Sequence, residues 1–128
     1  MTNIKIGEKH LVIKVVAMPR DTNPSGDMFG GWIVSQMDLA GALLARQITK
    51  KRIVTVSIDN LVFHKPVHVG DCVICYAALE KTGRTSITVR IDVHVERRSN
   101  FVEEKVTEGR FVFVAVDPDN TPIPYADA

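Results

Sequence analysis

Residues 30–48, GGWIVSQMDLAGALLARQI, decide the fold. Ile33, Met37, Ala40 and Leu44 recur at helical spacing on one stripe, with Trp32, Leu39 and Leu43 beside it. Asp38 is the single charge between Asp27 and Arg46. A helix this apolar all round is expected to be enclosed by other structure, not to lie on a wet surface. It does not span a membrane: the apolar stretch from Met28 to Ala45 is broken by Asp38 and by glycines, and falls short of the ~20 apolar residues needed.

Working outward, His10 to Ala17 alternates weakly and predicts a first strand, closed by the loop MPRDTNPSGD. Four further strands are predicted downstream, over Arg52 to Phe63, Asp71 to Lys81, Arg84 to Arg97 and Lys105 to Asp117. In the third of these, Ile87, Val89, Ile91, Val93 and Val95 alternate with Thr88, Arg90, Asp92, His94 and Glu96, which predicts one buried and one wet face. FVFVAV in the fourth is apolar on both faces and belongs in mid-sheet or at a subunit contact. One strand, one buried helix and four antiparallel strands make an α+β fold in which a five-stranded sheet curls around a central helix, the hotdog arrangement. One helix covers only part of such a sheet, so two copies are expected to pair edge to edge and bury the remainder jointly.

Composition agrees with one soluble domain over residues 1–128, with 45% hydrophobic and 24% charged residues. Sixteen Lys and Arg against 15 Asp and Glu leave a net charge of +1, so no global field draws a nucleic acid or an anionic membrane. Lys5, Glu8, Lys9 and Lys14 interrupt the N-terminal segment and argue against a secretory leader, and a cytoplasmic location is expected. Cys72 and Cys75, spaced as CVIC, fall on opposite faces of a predicted strand and are read as structural. His10, His64, His68 and His94 are scattered, and no metal is expected.

Chemistry concentrates in two places. Asn23 to Trp32, NPSGDMFGGW, sets turn formers and glycines immediately ahead of the helix, whose N-terminal N–H groups can stabilise a developing oxyanion. The plainer reading is a capping loop, with Asp27 or Ser25 as the cap. Asp38 lies about two turns inside the helix, too far to cap it, and a buried carboxylate there is costly without a role. It is a candidate general base or nucleophile, separated from its own helix N-terminus by ~10 Å, so a second subunit could supply the other half of a site.

The paired elements N-x-x-G-D-x-F-G-G-W and S-Q-M-D, followed by RIVTVSIDNLVFHKPVHVGDCV, resemble the acyl-CoA thioesterase branch of the hotdog superfamily, especially its small bacterial YciA-type members. The resemblance covers nearly the whole chain. It implies that Asp38 is the catalytic carboxylate, that Asn23 is its partner from the opposite subunit, and that Gly31 or its neighbour Gly30 polarises the thioester carbonyl. Asp27 is assigned to capping and loop architecture. The resemblance also implies hotdog dimers, often assembled as trimers of dimers, and an acyl-CoA substrate with coenzyme A as product and no separate cofactor. Among the basic residues, Arg84 and Lys65, with Ser57, are the candidates for contacting coenzyme A. Phe29, Met37, Leu43, Leu61 and Phe63 are candidates for lining the acyl tunnel.

A thioester suits such machinery: thiolate leaves readily, so one carboxylate and an oxyanion site can suffice, and no G-x-S-x-G elbow is present. Three rivals remain. A hotdog dehydratase usually deploys a His, and none occurs between Asp21 and Lys50. A non-catalytic acyl-CoA sensor would lose the carboxylate that Asp38 supplies. An assembly protein would use Asp38 only to fix register.

Overall fold

A computed structural model describes residues 4–125. Strand β1 (Lys9–Val16) leads through a short 3-10 turn to helix α1 (Gly30–Thr49), and β2 (Arg52–Phe63), β3 (Cys72–Thr82), β4 (Ser86–Glu96) and β5 (Glu103–Val116) follow. These are the elements the periodicities predict, displaced at their ends by up to two residues. All pairings are antiparallel, in the order β1-β3-β4-β5-β2. The sheet wraps one side of α1, the hotdog fold.

The helix buries Ile33, Met37, Ala40, Gly41, Leu44 and Ala45 against the sheet. Gly41 is required there, since a Cβ on it would stand 2.8 Å from Cζ of Phe113. On β4, Ile87, Val89, Ile91, Val93 and Val95 all face this core and are fully buried. The other face of β4 is not as wet as its pattern predicts. Asp92 is 4% exposed, lying beneath Lys9, Lys105 and Arg90, whose charged ends reach its carboxylate. Long aliphatic stems covering a paired charge account for this. FVFVAV of β5 runs inside the sheet, between β4 and β2, as expected.

The expected enclosure of α1 is not reached within one chain. Leu39 is 51% exposed and Leu43 is exposed beside it, because five strands cover only the stripe that faces them. Along the same side, edge strand β2 leaves Val56, Ile58, Val62 and Phe63 exposed. Cys75 pairs with Val93 and Cys72 with Glu96, so they sit on opposite faces, and both are free thiols. Burial pushes the Cys75 thiol up to about 12, which removes it from thiolate chemistry. Among the described residues no helix is long and apolar enough to cross a membrane.

Candidate active site

Asp38 sits half-buried on α1, on the flank that faces β2. Its Oδ1 accepts a hydrogen bond of 2.7 Å from the Thr55 hydroxyl. Thr55 escaped the reading of the sequence, and the reason is a bulge. The register of β2 on β5 slips between Thr55, opposite Phe113, and Ser57, opposite Val112. Phe113 packs on the helix, so Thr55 shares the helix side, whereas Ser57 falls on the outer face. Simple alternation would have put both on one face.

Beyond Thr55, an open groove of about 860 Å³ runs between α1 and β2, lined by Ala42, Leu43, Arg46, Gln47, Lys50 and Lys51 among others. It combines an apolar floor with a basic rim at the helix C-terminus, where cations also complement the helix dipole.

The loop ahead of α1 is built differently from its capping reading. Phe29 occupies the N-cap with no side-chain hydrogen bond, so neither Asp27 nor Ser25 caps the helix. Asp27 instead binds Nδ1 of His68 at 2.7 Å and forms an isolated antiparallel bridge with that residue. Asn23 turns its side-chain oxygen inward to accept the backbone N–H groups of Ser25 and Asp27, each at 3.0 Å. The Asn23 carboxamide therefore has its NH2 end left to offer. Gly26, at φ +86°, makes the turn that allows this closure, and its N–H donates to the Asn23 carbonyl.

Among the described residues the amides of Gly30 and Gly31 have no protein acceptor, as the first turn of a helix dictates. Gly31 is open, with nothing within 4 Å of a Cβ built on it, whereas a Cβ built on Gly30 would stand 3.3 Å from Cζ of Phe63. A depression of about 340 Å³ borders this end, lined by Met28, Gly30, Ile33, Phe63, His64 and Lys65 among others. Lys65 is engaged there with Glu104 at 2.7 Å. Arg84 is exposed in the β3–β4 turn. Met37 and Leu61 meet over Gly109, each near 3 Å from a Cβ placed there, while Phe29, Leu43 and Phe63 are surface residues in the single chain. Among the described residues no group of three or more His, Cys, Asp and Glu side chains gathers as a metal site would require.

Polar groups thus gather at two separate places in one chain: Asp38 with Thr55 at mid-helix, and the Asn23 turn followed by the unpaired amides of Gly30 and Gly31 at the start of the helix. The sequence pattern of the Thioesterase superfamily matches residues 25–101, from Ser25 within this loop through α1 and the strands to the end of β4. The acyl-CoA thioester hydrolase YciA of Salmonella typhimurium is 48% identical over 97% of this chain and 94% of its own length. The hexameric thioesterase of Yersinia pestis superposes with a TM-score of 0.89 at 46% identity, covering 96% of this chain and all of that one. A hexameric hotdog-fold thioesterase of Campylobacter jejuni superposes at 0.84 with 41% identity, over 91% of this chain and 90% of its own. The chain belongs to the thioesterase superfamily, among the hotdog-fold acyl-CoA thioester hydrolases of the YciA kind.

Proposed function

We propose that this enzyme hydrolyses acyl-CoA thioesters at a site shared between two copies, with Asp38 of one subunit and Asn23 of the other. The observation that carries this reading is the separation of the half-sites along α1, together with the exposed edge strand β2. Two β2 strands paired antiparallel about a two-fold axis would set the Phe63 end of one against the Thr55 end of the other. Gly30 packs on Phe63 and Asp38 bonds Thr55, so that symmetry brings a partner's helix N-terminus toward each Asp38. The same pairing would cover Val56, Ile58, Leu39 and Leu43. The Yersinia and Campylobacter relatives are hexamers, which supports a dimer as the minimal unit and a trimer of dimers as the assembly.

In this mechanism the Asp38 carboxylate takes a proton from water as the water oxygen attacks the thioester carbonyl. The carbonyl oxygen gains negative charge and is met by the Gly31 N–H, with Gly30 beside it, at the positive end of the helix dipole. The intermediate collapses by breaking the C–S bond, and Asp38 returns the proton to the sulfur, releasing the acid and coenzyme A. Because the Asn23 oxygen is engaged by its own loop, its NH2 donates, orienting the water or the thioester oxygen. Thr55 fixes one Asp38 oxygen and leaves the other for water. The thiolate is a good leaving group, so the route calls on no metal or redox cofactor. Arg84, Lys65 and Ser57 stay as the proposed contacts to the coenzyme A moiety, with release of Lys65 from Glu104 as its condition.

The test is complementation. Asp38→Asn should lose a hundredfold or more in turnover at unchanged oligomer mass. Asn23→Ala should also be impaired. Co-refolded in equal amounts, the two variants should regain about a quarter of wild-type activity, since half the dimers are hybrids and each hybrid keeps one intact site. No regain would mean that both residues act within one chain.

A further inference from the structure

Asn23 belongs to a loop that the helix itself does not hold, since α1 begins without a side-chain cap. What fixes the loop lies 41 residues on in the sequence. The Asp27 carboxylate meets His68 Nδ1 at 2.7 Å, and the adjacent Met28 N–H donates to the Val67 carbonyl at 2.8 Å. Asp27 in turn grips Asn23 twice: its N–H donates to the Asn23 side-chain oxygen, and its carbonyl accepts the Asn23 N–H. The direction in which the Asn23 NH2 points is thus set by where Asp27 stands.

His68 has its own anchor. Its backbone N–H donates to Oδ2 of Asp71 at 2.9 Å, and Asp71 is buried, held by Nη1 of Arg97 at 2.8 Å and by the Arg98 backbone N–H at 3.1 Å. Arg97 also bonds Glu104 and the Pro66 carbonyl, which ties the β2–β3 connection to the β4–β5 hairpin. The buried ion pair thus holds the backbone of His68, the imidazole holds the Asp27 carboxylate, and the Asp27 backbone holds the Asn23 carboxamide. The His68 side chain is itself 54% exposed and contributes little to the core. A charge-assisted hydrogen bond at such a place can orient a loop at small cost to overall stability.

We propose that His68 is a positioning residue of this thioesterase: through Asp27 it sets the orientation of the Asn23 carboxamide, and so acts on turnover rather than on folding. The inference rests on the reading that Asn23 meets the reacting thioester or its water. Donation from Nδ1 requires a hydrogen on that nitrogen, a condition met by the Nδ1–H tautomer and by the imidazolium alike. Loss of the contact would leave the Asn23 turn closed but tethered by backbone bonds alone, such as Met28 N–H to the Val67 carbonyl, and a misplacement near 1 Å is enough to slow an oriented reaction severely.

The experiment measures kcat, KM and Tm on the intact oligomer for His68→Ala, His68→Asn, Asn23→Ala and the double variant His68→Ala with Asn23→Ala. The expected result is a fall of about tenfold in kcat for His68→Ala, with KM and Tm little changed. His68→Asn, which keeps an N–H close to the Nδ1 position, should recover most of the loss. In the Asn23→Ala background, His68→Ala should cost less than twofold further, because its route of action is already gone. Full turnover in His68→Ala, with Asn23→Ala impaired, overturns the positioning role and leaves the shared site standing. Two losses that multiply overturn it also, by showing that His68 acts independently of Asn23. An Asn23→Ala enzyme with undiminished kcat overturns both this role and the Asn23 assignment beneath it.

Discussion

Strands β4 and β2 are similar in length, 11 and 12 residues, and each carries six β-branched residues, yet they end in opposite environments. β4 is flanked by β3 and β5, and its inward side chains are sealed under α1. β2 is an edge, bulged at two places, with Val56 55% exposed. Composition does not separate them; position in the sheet does. The finished half of the molecule holds the fold, and the unfinished half, where β2 meets the flank of α1, carries Asp38 and Thr55. An exposed apolar edge is a hazard unless something covers it, and here the cover we propose is the second half of the site.

The sharpest way to break this comparison is a charge on the open edge. Val56→Glu should divide the oligomer and abolish turnover, by more than a hundredfold, while the isolated subunit still melts cooperatively; sedimentation and thiol release measure both. Unchanged mass and activity would end the case for pairing through β2. The converse change, Ile91→Ala in the sealed strand, should cost about 3 kcal/mol in denaturant unfolding and leave turnover per folded molecule within twofold.

Smaller effects sharpen the contrast. Thr55→Val removes the donor to Asp38 and should lower kcat by about tenfold at constant mass, with Thr55→Ser largely restoring it. The mildest test concerns the outer face. Lys105 and His64 beside Glu108 hold its carboxyl down to about 2, and Lys65 and Arg97 do the same for Glu104, also about 2. Depressed folded-state values mean that their contribution is fully present above the unfolded value near 4.5 and is lost as pH falls from there toward 2. The Tm should therefore decline over that interval, and Glu108→Gln should flatten the decline without altering turnover at neutral pH.

Asp38 stood out as a candidate because a lone carboxylate in an apolar helix demands a reason, and that cost is local to the helix. Thr55 did not, since a Thr in a β-strand reads as ordinary strand propensity. Asp27 was legible only as a cap, the commonest local use of an Asp before a helix, because its actual partner, His68, comes near through the folding of the β2–β3 connection. Asp92 read as a wet position because alternation reports which face a residue takes, not whether neighbouring lysines lie over it.

The sequence by itself determined the helix, the five strands and the inward face of β4, since hydrophobic periodicity acts over a few residues and a segment must bury its own apolar side. The family was legible there too, in the linked Asn23–Trp32 and Ser35–Asp38 elements. Only the tertiary structure decided that β2 is an edge, that its bulge turns Thr55 toward Asp38 and Ser57 away, and that His68 holds Asp27. Those outcomes depend on strand order and register, which arise when distant segments compete for the same partners, and no local pattern records the winner.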